Sequence, residues 1–204
     1  MEVGRGQTAD MCTASAMQLS VVKDPGSADN MSVVVRRADL VAEAEEITKL
    51  LVDYMTTAQQ QLLTTFGIKD APTDVSGMRA SLQEYGDPSK VLLVAEDSSG
   101  TLVGVAGLRV IEPGVVEVKR MYVVPECRGL HVGSRLLDCL LGEAARMGAS
   151  TVRLDTVRFM VDAQRLYRSR GFAERKPYQQ TEIPQHLQQY WIFFERGIGP
   201  AEER

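Results

Sequence analysis

The stretch that most constrains the fold of this chain is "EVKRMYVVPECRGLHVGSRLLDCLL", Glu117 to Leu141. An alternating apolar strand runs into a proline, then into a short loop holding Arg128, Gly129 and Gly133, and then directly into an amphipathic helix. A glycine-containing turn that delivers a strand to a helix N-terminus leaves several backbone N–H groups unpaired at the positive end of the helix dipole. That is a ready anion site, with phosphate the natural occupant and Arg128 adding charge at its rim. Two common phosphate loops are excluded. Gly133 is followed by Ser134 and Arg135, so there is no GxxxxGK[ST], and no GxGxxG occurs either. The same spacing also suits an ordinary strand-to-helix turn with glycine present for geometry alone.

The flanking sequence predicts a mixed sheet with helices on its faces. "MSVVVRRA" reads as a first strand, Asp39 as a helix N-cap, and Leu40, Ala44, Ile47, Leu51, Tyr54, Ala58 and Leu62 as one face of a helix running close to Phe66, which Gly67 ends or breaks. A short helix is expected around Met78 to Glu84. "KVLLVAE", "TLVGVAGLRVI" and "VVEVKRMYVV" then read as three consecutive antiparallel strands joined by "DSSG" and "EPG". After the loop, a helix to Gly148 and the strand "STVRLDTV" imply a right-handed crossover and a parallel pair. "VDAQRLYRSR" is a further helix, and "GFAER" and "QYWIFFER" are closing strands, the latter apolar enough to pair across a dimer. The fold class is therefore α/β (α+β), with about six to seven strands in one sheet.

At 204 residues and 44% hydrophobic content, one domain with a full core is expected, spanning 31–197. Residues 1–30 lack a sustained period and read as a disordered arm, and 198–204 as a tail. The formal charge of −4 gives no bulk attraction for nucleic acid or an anionic membrane. Cys12, Cys127 and Cys139 show neither a disulfide framework nor a metal-ligand spacing. No metal is expected, and a cytoplasmic, soluble chain fits best, with no basic n-region leading into a clean apolar segment.

The order strand, "VP", "RG" and "G", followed by a Leu-rich helix, resembles the acyl-CoA loop of the GNAT superfamily of N-acetyltransferases. Its pattern [Q/R]xxGx[G/A] falls here on Arg128 to Gly133. Thirty-four residues after Gly133, Tyr167 lies in "AQRLYRSRGF", similar to the family's second signature, an Ala and a Tyr four apart ahead of "GF". The resemblance extends from Ser32 to about Glu195 and includes "VGVAGLRV" and "LDT". Two positions depart from the pattern: His131 stands where it has a glycine, and Met160 where many members carry an asparagine.

The resemblance implies a splayed parallel pair that forms an acyl-CoA cleft. It implies that the pantetheine arm of acetyl-CoA pairs with the backbone of Met121, Tyr122 and Val123, and that its pyrophosphate sits on Arg128, Gly129, Leu130, His131, Val132, Gly133 and Ser134. It further implies transfer of an acetyl group to a primary amine by direct attack in a ternary complex, with Tyr167 protonating the departing thiolate. Such an amine, with a pKa near 10, must lose a proton as it enters. Glu117, where the histone-modifying branch carries its glutamate base, is the candidate to take it. By strand parity it should face the same side as Met121 and Val123. The alternative for Glu117 is a charge paired with a nearby Lys or Arg. Glu112 and Asp155 are further carboxylates that could line an acceptor site. The expected partner is a small-molecule amine, in a monomer or homodimer. A protein or peptide acceptor, or an acyl-CoA sensor without turnover, remains open.

Overall fold

In the computed structural model, residues 32–69 and 75–199 are described; the arm expected at 1–30 and most of the tail lie outside them. The first strand, β1, spans Val34–Arg37, and Asp39 follows it as expected of a cap. Its carboxylate accepts hydrogen bonds from the N–H groups of Val41 and Ala42, but this closes a separate turn. Helix α1 begins only at Ala44 and runs to Phe66. Gly67 ends it, with φ 71° and its N–H returning to the last turn, a conformation that costs glycine little. Helix α2 is Val75–Gln83, followed by a 3-10 turn to Gly86.

Strands β2 (Lys90–Glu96), β3 (Leu102–Glu112) and β4 (Val115–Val123) form the antiparallel run that the sequence predicts. After the loop come helix α3 (Val132–Arg146), strand β5 (Thr151–Val157), helix α4 (Val161–Ser169), and strands β6 (Ala173–Arg175) and β7 (Trp191–Gly197). The seven strands lie in the order β1-β2-β3-β4-β5-β7-β6, with β4 and β5 parallel. Strand β7 is therefore interior, paired with β5 on one side and β6 on the other. Over Phe193–Glu195 its backbone is hydrogen-bonded on both sides, so the edge position that "QYWIFFE" was expected to offer is taken there by β6, and the sheet edges are β1 and β6.

Each face of the sheet carries a core. On one, Leu136, Leu137, Leu140 and Ala144 of α3 and Tyr167 of α4 pack with Leu93, Leu108, Leu154 and Phe194. On the other, Ile47, Leu50 and Leu51 of α1 and Leu82 of α2 cover Leu92, Val94, Val105 and Tyr122. Helix α1 reaches further than this core: at its C-terminal end, the Phe66 ring lies 6.0 Å from that of Phe159 and 4.7 Å from that of Tyr190.

Two irregularities in β4 shape everything near the site. Its pairing with β5 stops at Glu117 opposite Arg153, after which the two strands part. Three residues further on, Val105 pairs with Tyr122 and Gly107 with Lys119, so Ala106 alone opposes both Arg120 and Met121. This is a β-bulge, and Arg120 occupies it at φ 56°, a costly angle for a residue with a Cβ. The Arg120 guanidinium is tied down by Ser81 Oγ at 2.7 Å and lies over the Tyr85 ring.

Phe194 is fully buried in the larger core and stacks near Tyr167. Phe194→Ala is expected to cost about 3–5 kcal/mol of unfolding free energy in a urea titration.

Candidate active site

The parted strands open a cleft of about 670 Å³. Met121, Tyr122 and Val123 form one wall, the start of α3 its floor, and the segment from Phe159 through α4 the other wall. Tyr54, Thr57 and Gln61 of α1 lie along its edge. Nine of the ten residues expected to hold the acyl donor line this cleft; Leu130 does not, its side chain packing against the core below α3.

The loop explains its own composition. Gly129 has φ 80° and His131 φ 59°, so the glycine that the pattern has in the middle of the loop is there to supply a left-handed residue. Histidine is among the residues that adopt this conformation more readily than most. The consequence is a run of amides turned outward. Among the described residues, none of the N–H groups from Gly129 to Ser134 donates to another protein atom, and the first α3 bond is from Arg135 N–H to the His131 carbonyl. Six consecutive free donors at a helix N-terminus form an anion cradle. Gly133 lies in the first turn of α3, where an added Cβ would meet Leu166 and Met121 at 3.6 Å, an ordinary contact. Arg128 bends back instead, its Nε donating to the Val123 carbonyl at 3.2 Å and its guanidinium lying over the Tyr122 ring.

Tyr167 lines the cleft from α4, buried between Phe172 and Phe194. Among the described residues, its hydroxyl has only the Met121 thioether, a weak acceptor, at 3.8 Å. Burial, with Tyr54 and Asp155 nearby, pushes its pKa well above that of a free phenol, so it keeps its proton at neutral pH. Cys127 also lines the cleft, and burial raises its thiol. Met160 precedes α4, its sulfur 3.5 Å from the Thr156 hydroxyl.

Glu117 is placed differently from expectation. The bulge adds one residue to β4 between Lys119 and Tyr122 and so reverses the parity of the strand. Met121 and Val123 face α3, whereas Glu117, Lys119 and Tyr122 face α1 and α2. Glu117 is fully buried, does not line the cleft, and has both oxygens engaged. Arg109 Nε donates to one at 2.7 Å and the Tyr178 hydroxyl to the other at 2.5 Å. Around it lies a polar layer of which the sequence had marked only Asp155. Arg109 also pairs with Glu182, and Lys119 Nζ lies 3.1 Å from Glu182 and 4.0 Å from Asp155 Oδ2. Glu112 is outside this layer, bound to Arg153 at 2.9 Å. One signal was available: between Val116, Val118 and the bulge, Glu117 and Lys119 alternate with apolar residues, which marks a polar inner face on β4.

Removing one partner of a buried ion pair strands the other charge. Arg109→Met should therefore cost about 3 kcal/mol or more in urea unfolding, and adding Glu117→Gln should recover most of it. A loss below about 1 kcal/mol would show that the pair does not hold the layer together.

Comparison with known proteins agrees with this geometry. Residues 48–172 match the model of the acetyltransferase (GNAT) family. An uncharacterized N-acetyltransferase of Schizosaccharomyces pombe is 36% identical over 127 residues, covering 61% of this chain and 78% of that protein. The IAA acetyltransferase of Azospirillum brasilense is 41% identical over 98 residues, covering 48% of this chain and 63% of its own length. Among solved structures, a phosphinothricin acetyltransferase of Sinorhizobium meliloti in complex with AcCoA superposes with a TM-score of 0.61. It is 18% identical, with 85% of this chain and 93% of that one covered, a likeness of fold. With its two signatures, its parted strands and its amide cradle, the chain belongs to the GNAT family of acetyltransferases.

Proposed function

We propose that this acetyltransferase uses acetyl-CoA to acetylate a primary amine of a small molecule, by direct attack in a ternary complex. The observation that carries the reading is the run of six unpartnered amides at the start of α3, facing Tyr167 across one cleft. The amides suit a pyrophosphate, with Arg128 adding charge beside them, and the edge of β4 from Met121 to Val123, unpaired with β5 and with the Val123 carbonyl held by Arg128, suits the amide-bearing pantetheine arm. The acetyl-CoA complex of the S. meliloti relative supports the same donor. Acetyl-CoA supplies the reactive thioester; the rest is the work of the chain. Tyr167, protonated and with a weak thioether acceptor beside it, donates to the sulfur as the C–S bond breaks. A strand amide, that of Val123, is placed to hold the oxyanion. The raised thiol of Cys127 is a poor nucleophile, which favours direct transfer over a covalent acyl-enzyme. Glu117 contributes its charge to the polar layer bordering the cleft. The burial of Lys119 and Asp155 within that layer favours a small acceptor over a protein side chain. One transferase domain over 31–197 is consistent with a single sheet and its two cores.

Calorimetry with acetyl-CoA tests the cradle. Gly133→Ala should still bind, since its methyl group meets only ordinary contacts, whereas Gly133→Glu should lose about 100-fold or more in affinity by placing a carboxylate against the phosphates. In a thiol-release assay over a panel of amines, Tyr167→Phe should lower kcat by about 100-fold or more with an unchanged acetyl-CoA Kd. Tight binding with no turnover on any acceptor would favour a sensor, and no binding by the wild type would overturn the reading.

A further inference from the structure

Just past the last paired residues of β4 and β5, the two strands present Lys119 and Asp155 to one another across the gap. Asp155 is an unusual group. Its side chain keeps 9% of its surface open, and its Oδ2 is, among the described residues, the one buried side-chain oxygen or nitrogen with no hydrogen-bond partner. Every other carboxylate of the layer is bound: Glu117 by Arg109 and Tyr178, Glu182 by Arg109 and Lys119. Lys119 is 4.0 Å away, beyond hydrogen-bond distance. A buried carboxylate oxygen left without a donor costs stability, and such groups mark places where a ligand supplies the missing donor.

The charges around it indicate which ligand. Two cations, Arg109 and Lys119, share the layer with three carboxylates, Glu117, Asp155 and Glu182, which leaves one negative charge unmatched. A primary ammonium would supply both the missing charge and the missing donor. Asp155 does not itself line the cleft but lies behind its wall, where its charge reaches the hydroxyls of Tyr54 and Tyr167, both of which do line it.

Resting on the acetyl-transfer reading above, we infer that Asp155 receives the acceptor's ammonium and takes its proton, and that the acceptor is a small cationic amine. The ammonium gives one proton to the Asp155 carboxylate, and the freed lone pair forms the N–C bond to the thioester carbonyl. When the C–S bond breaks, Tyr167 protonates the sulfur and is restored by the second proton leaving nitrogen. The products are the acetamide and the thiol, with one proton left on Asp155 to pass to water. Asp155 is suited to this exchange. Burial, with Glu117 and Glu182, raises its pKa to about 6 against the opposing pull of Lys119 and Arg109. Burial and the charge of Asp155 raise the pKa of Tyr54, Tyr167 and Tyr178, so all three stay neutral. Lys119 stays charged although burial opposes it, because Asp155, Glu117 and Glu182 hold it above its ordinary value. Glu117 then acts as a positioning residue that sets the charge of the layer.

The test compares two kinds of nucleophile with acetyl-CoA: primary alkylamines and diamines, which must lose a proton, and hydroxylamine, whose conjugate acid is far more acidic and which arrives already neutral. Wild-type kcat/KM with alkylamines should fall below about pH 6. Asp155→Asn should lower it by about 10²- to 10⁴-fold while changing hydroxylamine acetylation by less than about tenfold. Lys119→Gln removes the favourable charge beside Asp155 and should move the acid limb up by about one pH unit. Glu117→Gln removes a like charge and should move it down without abolishing it. If Asp155→Asn does not fold, the two neighbouring variants decide the matter through the direction of the limb. The inference is overturned if Asp155→Asn keeps alkylamine turnover within tenfold of wild type, if the limb ignores both neighbours, or if the wild type acetylates hydroxylamine and no alkylamine. Failure of the wild type with every nucleophile would instead remove the acetyl-transfer reading, and this inference with it.

Discussion

The site depends on one interruption in a hydrogen-bond ladder. Parallel strands normally hold one another along their full length, with each N–H and C=O on the shared edge spent on the neighbour. Here β4 and β5 share only their first three positions, and the bulge at Arg120 turns the remainder of β4 through one residue of register. Both the backbone edge that faces the cleft and the division of β4 side chains between two faces follow from this. The cost is a non-glycine residue at φ 56°, offset by the grip of Ser81 and Tyr85 on its guanidinium.

The parts that were legible in the sequence are those written in periodicity and local turn chemistry. The run from Val115 to Arg146 shows a strand, a loop and a helix because residues close in sequence decide each of them. Gly67 was readable as a helix end for the same reason. What was not legible is non-local. Asp39 has the composition of a cap, yet the turn it closes precedes α1, and that depends on how Glu43 reaches back to the Asp39 N–H. The bulge leaves no mark in composition, since arginine is an ordinary strand residue until the partner register is known, and so the face of Glu117 was misread. The place of β7 inside the sheet was equally hidden, because its apolar run suits an edge or an interior strand alike.

The departures from the family pattern also acquire a physical meaning. His131 keeps the backbone conformation that the loop requires, and what the cradle offers is amides rather than side chains, so the substitution leaves its donors in place. Arg128, by contrast, spends its Nε on the Val123 carbonyl, at the same strand edge that faces the cleft. The two ends of the cleft are thus joined by one side chain, which links the anion cradle to the backbone of β4.

A sheet whose central strands part would be expected to hinge at the gap. Helix α1 works against that. Its first two turns are fastened to β2, β3 and β4 through Ile47, Leu50 and Leu51, while its last turn is fastened through Phe66 to Phe159 and Tyr190, on the far side of the opening. It spans the gap as a tie beam spans two rafters. The mechanical consequence is that the width of the slot is set by a helix anchored on both of its sides, and not by the parted strands alone.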